Sequence, residues 1–192
     1  MEKDPFEERR KAFEEEYFRK KDAQLVDKLK AVFHRTLDRE SIRKATGITQ
    51  EAVLDNLVQL SLSGEMMSAF QLFPLVEVAW ADSVVDEREI RAVLEAAHDH
   101  GIVRGSASHS MLENALKSRP NEDARKAWYM YAGELRKTLS PHELTTFRND
   151  LLEHARRVAK ASGGILNAVF QVSHNESKVL KAIAKALTNE PS

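Results

Sequence analysis

The chain has no cysteine among its 192 residues, which excludes disulfides, thiolate zinc sites and cysteine nucleophiles. Glycine and proline are scarce, at 7 and 5, and fall mostly at segment edges, so little interrupts helix formation. Period-2 alternation of the kind that marks a half-buried strand is lacking. An excess of charge of one sign is lacking too. The 29 Lys and Arg offset 30 Asp and Glu for a net charge of -1, so no global basic field draws the chain to nucleic acid or anionic lipid. There is no long hydrophobic run: the most apolar window, Met66 to Val85, is broken by Gln71, Glu77 and Asp82, which a bilayer core penalises. The opening MEKDPFEERRK has no apolar segment of the kind a signal peptide needs. The expectation is a cytoplasmic chain without membrane insertion.

What remains is helix-forming sequence with chemically marked boundaries, and the fold class it predicts is all-α. Asp4-Pro5-Phe6-Glu7, Asp86-Glu87-Arg88-Glu89, Ser140-Pro141-His142-Glu143 and Ser173-His174-Asn175-Glu176 each place a capping residue three positions before a glutamate. Two of the four carry proline at the first helical position. The first helix is expected from Pro5 to about Leu37. Phe6, Phe13, Tyr17, Leu25, Leu29 and Val32 or Phe33 run along one face, and Glu7/Lys11, Glu15/Arg19 and Glu16/Lys20 pair on another, each pair contributing about 0.2–0.5 kcal/mol. Further helices are expected near 65–81, with Pro74 inside or starting a second piece, and near 87–100, 108–118, 122–139, 141–161 and 174–187. The apolar loop from Ser162 to Val172 is expected to pack on the body.

Between Ser41 and Gly64, SIRKATGITQEAVLDNLVQLSLSG has the outline of a helix-turn-helix, with Gly47 at the turn and Thr49 as cap. A recognition helix must bring donors to a polyanion, whereas Gln50 to Asn56 offers two carboxylates and no Lys or Arg. A plain helical hairpin is expected, with nucleic-acid binding through 41–62 as an alternative reading.

Two segments match in register: Val78-Ala79-x-Ala81-Asp82 leading to Val85-Asp86-x-x-Glu89, and Val158-Ala159-x-Ala161-Ser162 leading to Val172-Ser173-x-x-Glu176, before Ile183-Ala184-x-Ala186-Leu187. Two related helical hairpins about a pseudo-twofold axis follow from such a duplication. On these residues the stretch from Met66 to Leu187 resembles the TerB-like family of tellurite-resistance proteins. Ser83 stands where that family usually has glycine, and Ser162 where aspartate is common. The resemblance implies a TerB-like helical bundle of two pseudo-repeated hairpins over 63–192, preceded by an N-terminal helical extension over 1–62. It also implies a metal-binding or interaction module of stress-response systems with no established catalytic reaction. Separately, the charged opening is faintly similar to the start of a helical inhibitor subunit of the alphaproteobacterial ATP synthase.

Asp82, Asp86 and Glu89 are the candidate metal ligands, their oxygens suiting Ca²⁺ or Mg²⁺ across a short turn. The same Asp86-x-x-Glu89 is a capping box, favoured at a helix N-terminus with no metal. His98-Asp99-His100 presents its rings to different sides of a helix, and Glu95-x-x-His98 lacks the second such pair that a di-iron centre needs. His142-Glu143 lacks the second histidine of a zinc protease, and Ser41-Ile42-Arg43-Lys44 lacks the other elements of S-x-x-K serine chemistry. Trp80, Trp128, Tyr129 and Tyr131 are expected as core or groove aromatics, and Met66, Met67, Phe70 and Phe73 as core. The expected function is a non-enzymatic binding or scaffold module that engages a protein partner through a groove between the halves or through the N-terminal helix, which also offers a homodimer contact. The rival from another class is a metal-dependent hydrolase that uses the acidic turn with a histidine such as His98 or His174.

Overall fold

The computed structural model describes residues 5–161 and 172–188, and every regular element among them is helical. The elements are α1 (Pro5–Thr46), α2 (Glu51–Gln59), a 3-10 turn (Gly64–Met66), α3 (Met67–Gln71), α4 (Phe73–Ala79), α5 (Glu87–Asp99), α6 (Ala107–Lys117), α7 (Glu122–Thr138), α8 (Pro141–Ala161) and α9 (His174–Ala186). The all-α expectation holds. No helix among the described residues is long and apolar enough to cross a membrane.

The chain divides into two compact units, Met1–Asp38 and Arg39–Ser192. The first consists of α1 as far as Asp38. Here Glu16 and Lys20 form the expected pair at 2.8 Å, while the other two expected pairs involve side chains outside those described, as does the cap at Asp4. Phe13, Tyr17, Phe18, Leu25, Leu29, Val32 and Phe33 are all exposed. At about 100° per residue, Phe18, Leu25, Leu29 and Val32 make one stripe, and Phe13 and Tyr17 lie well round the helix from it. The single face expected from Phe6 to Phe33 is therefore not what the helical geometry produces.

The second unit begins inside the same helix. Asp38-Arg39-Glu40 contains neither glycine nor proline, so α1 does not stop near Leu37 but continues to Thr46. It ends where Gly47 adopts φ +71° and its N–H donates to Arg43 O. The short helix expected at the start of the 41–62 hairpin is thus the last turns of α1. Residues 39–62 belong with the body because Ile42, Ile48, Val53, Leu54, Leu57 and Val58 enter its core. Gln50, rather than Thr49, caps α2, and it does so without a side-chain hydrogen bond. Arg39 pairs with Glu51 and Asp55, and Arg43 with Glu40 and Glu51. These arginines are spent on the α1–α2 contact rather than offered to a phosphate backbone. At the other end of this hairpin the backbones nearly touch: a Cβ on Gly64 would lie 2.4 Å from Ser41 O, and the Gly64 N–H donates to Ser41 Oγ at 2.9 Å.

The core is centred on α4. Phe73, Pro74, Leu75, Val76, Val78 and Ala79 are all buried, the signature of a helix covered on all sides. Pro74 sits in its first turn, where a missing N–H is tolerated, so 65–81 divides there into α3 and α4. The α8 helix packs on α4 and α5, and α9 on α4 and α8. Met67, Phe70, Tyr131, Leu151 and Ile183 are among the largest fully buried side chains of the core, each side chain of this size contributing about 1.5–3 kcal/mol. Ser140 and Glu143 complete a reciprocal cap at α8: the Ser140 N–H donates to Glu143 Oε2 at 2.9 Å and the Glu143 N–H to Ser140 Oγ at 3.3 Å. The loop expected to pack on the body, 162–171, lies outside the described residues.

Candidate functional site

After α4 the chain turns through Trp80 to Val85. The Ala81 N–H donates to Val78 O and the Ser83 N–H to Trp80 O. Ser83 takes up φ +69°, the left-handed region that glycine occupies freely. Asp86 then caps α5: its Oδ1 accepts from the N–H groups of Arg88 and Glu89 at 2.7 and 2.9 Å, and Glu89 Oε2 accepts from the Asp86 N–H at 2.9 Å. The α9 start has the same construction. Ser173 Oγ accepts from the Glu176 N–H at 3.2 Å and Glu176 Oε2 from the Ser173 N–H at 2.6 Å.

Both capping glutamates are buried, 4% and 1% exposed. Burial pushes the Glu89 carboxyl up to about 7. The hydrogen bond from Asp86 opposes this shift, while negative charge on Asp86, Glu176 and Asp82 adds to it. Asn175 Nδ2 donates to Asp82 Oδ1 at 3.0 Å, tying the turn to the first turn of α9. Asp82, Asp86 and Glu89 therefore surround one turn, and one oxygen of each carboxylate already serves a hydrogen bond within the fold. Glu176 joins them electrostatically. Its role as a cap is legible in the sequence; its nearness to Glu89 is not.

Asn175 is also where the turn meets a groove. A cavity of about 400 Å³ opens between α4, α7 and α9, lined by Phe73, Pro74 and Glu77, by Arg125, Trp128 and Tyr129, and by Lys178, Val179 and Ile183, with Arg119 at the α6–α7 link. This volume is in the range of small-ligand and peptide-anchor pockets. Arg125 is engaged with Glu77 at 2.5 Å, and that bond holds the guanidinium firmly charged. Burial, and then Glu77, push the Tyr129 hydroxyl up. Among the described residues Arg119 and Lys178 have no ion-pair partner. Trp128 is 2% exposed, and its indole N–H has no acceptor among the described residues, whereas the Trp80 indole donates to Ala115 O at 2.9 Å. Tyr131 is core, its hydroxyl accepting from Gln71 Nε2 at 3.0 Å. The aromatics thus divide into groove and core.

The histidines distribute differently from the sequence pattern. Among the described residues, one group of three His, Asp or Glu side chains brings its ligand atoms within 4.8 Å of one another, and it is His100, Asp150 and His154. His98 and His174 are not in it, nor are Asp82, Asp86 and Glu89. The readable signal was Asp150-x-x-x-His154, an i,i+4 pair on one face of α8. Of the serine and zinc-protease fragments, Ser41 Oγ accepts from Gly64 N and His142 is exposed.

Fold and site together define an all-helical bundle with a mixed apolar and cationic groove beside an acidic turn. No family model, curated protein or solved structure matches the chain.

Proposed function

We propose that this chain is a non-enzymatic binding or scaffold module of the TerB-like, tellurite-resistance type, with α4–α5 and α8–α9 as its two related hairpins. The groove between α4, α7 and α9 seats an acidic segment of a partner protein that carries an apolar anchor. The observation that carries this reading is the charge of the groove: its carboxylate, Glu77, is held by Arg125, while Arg119 and Lys178 have no ion-pair partner among the described residues. Carboxylates of a partner segment would pair with these two cations. The remaining wall, Phe73, Pro74, Val179 and Ile183, suits a leucine or phenylalanine.

Two parts of the reading are subordinate. A divalent cation, Ca²⁺ or Mg²⁺, at Asp82, Asp86 and Glu89 would modulate the groove through Asn175. Unchanged amide NMR shifts of that turn and an unchanged Tm in low-millimolar Ca²⁺ would remove it. The exposed stripe of α1 is a second partner surface, with a second copy of the chain as its occupant.

The test is calorimetric titration of a short peptide with aspartates around a leucine, beside the same peptide with lysines in place of the aspartates. The acidic peptide binds and the basic one does not. Arg119→Glu together with Lys178→Glu weakens binding by about tenfold at low salt and less at high salt. Equal binding of both peptides, or of neither, ends the reading.

A further inference from the structure

The end of α5 and the middle of α8 present a constellation that the groove does not use. Gly101, at φ +74°, closes α5 in a Schellman motif: the Ile102 N–H donates to Ala97 O at 2.9 Å and the Gly101 N–H to His98 O at 2.8 Å. His100 occupies the capping position, and its ring turns back so that Nδ1 lies 2.8 Å from Ala96 O. A carbonyl oxygen only accepts, so Nδ1 donates to it, and Nε2 is directed away from its own helix toward the Asp150 carboxylate, which also only accepts, so a bound metal ion would take the place of a proton on Nε2. Nε2 lies 2.8 Å from Asp150 Oδ2. One turn further along α8, the buried His154 places its Nε2 3.6 Å from Asp150 Oδ1, beyond hydrogen-bond range. The two imidazoles meet edge-on, with centroids 5.0 Å apart.

We propose that His100, Asp150 and His154 form a binding site for Zn²⁺ or a similar divalent transition metal. Two imidazole nitrogens and one carboxylate oxygen are a borderline-soft donor set of the kind Zn²⁺ takes, with a fourth position left for water or a partner's ligand. Donors around a tetrahedral ion at about 2.0–2.1 Å are separated by roughly 3.3–3.4 Å. The separations to Asp150, 2.8 Å from His100 to Oδ2 and 3.6 Å from His154 to Oδ1, lie either side of that value, and with the three ligand atoms all within 4.8 Å of one another, side-chain rotation brings them around one ion. The backbone bond to Nδ1 is the orienting contact that metal-ligating histidines use to fix the tautomer and direct Nε2 at the ion. Asp150 is about half exposed, giving the ion a path in, and the metal would pin the end of α5 to α8.

The experiment titrates Co²⁺ and then Zn²⁺ into the chelator-treated 192-residue chain, read by visible ligand-field absorption and calorimetry. One equivalent of Co²⁺ gives the intense bands of four-coordinate geometry, and Zn²⁺ displaces it. Removing a group that merely orients a metal ligand costs about 10–100-fold in affinity, so Asp150→Asn and His154→Gln each cost at least that. His98→Gln leaves binding unchanged. Because His154 is buried and its variant is at risk of misfolding, the exposed Asp150→Asn is paired with a second readout, Zn²⁺-dependent shifts of the His100 and His154 ring nitrogens in the unaltered protein. No saturable binding, weak octahedral bands, binding that survives Asp150→Asn, or ring nitrogens that do not move would each overturn the site.

Discussion

Glu89 holds a carboxyl group where water barely reaches it, with three other acids around it. Its proton is bound more tightly in the folded chain, at about 7, than at the ordinary 4.5 of the unfolded one. The stability it contributes is therefore full below 4.5 and is lost as the pH rises through 7. Urea denaturation at about pH 5 and about pH 8 should show the wild type losing stability relative to Glu89→Gln, which keeps an acceptor for the Asp86 N–H but does not titrate. A gap between the two proteins that stays constant with pH would show that Glu89 does not titrate in that window. Ser83 offers a second single-residue test. A side chain at φ +69° costs about 1–2 kcal/mol, while glycine there loses about 0.4–1 kcal/mol through the unfolded chain. Ser83→Gly is expected to raise stability by about 0.5–1 kcal/mol, measured as a shift of the denaturation midpoint with unchanged slope.

At the scale of elements, α1 makes the clearest demand. Leu29 and Val32 are each 61% exposed and align with Phe18 and Leu25, a stripe that water disfavours. Sedimentation at rising concentration should show self-association, and Leu25→Lys with Leu29→Lys should return the chain to a monomer. A wild type that stays monomeric throughout would discount the stripe as a homodimer contact. Elements were also where the sequence was most legible. The starts of α5, α8 and α9 were readable because each carries a cap whose chemistry is local to four residues, and the break at Pro74 because a ring replaces an N–H. The end of α1 was not readable, since nothing between Leu37 and Ser41 stops a helix and the decisive fact, burial of Ile42, is tertiary. Thr49 lost its expected role because the cap position fell one residue later, on Gln50.

For the whole molecule, chemistry gathers where distant segments meet, and that is where local sequence is silent. The acidic turn was legible as three carboxylates, but Glu176 and Asn175 reach it from 87 and 93 positions away in the chain. His100 stood out in the sequence beside His98, a neighbour it does not use, while its partners Asp150 and His154 are set by the packing of α5 on α8. The groove, walled by α7 as well as by α4 and α9, was not legible, because residues from all three meet only through packing. Trp128 in the lining of the groove has an optical consequence. The chain has two tryptophans, Trp80, whose N–H is fixed to Ala115 O and which does not line the groove, and Trp128, which does. Trp80 is thus an internal standard and Trp128 a reporter, so occupation of the groove should alter the quenching and emission colour of one fluorophore while leaving the other constant. Trp80→Phe should retain that response and Trp128→Phe abolish it, which lets any ligand be screened without a label.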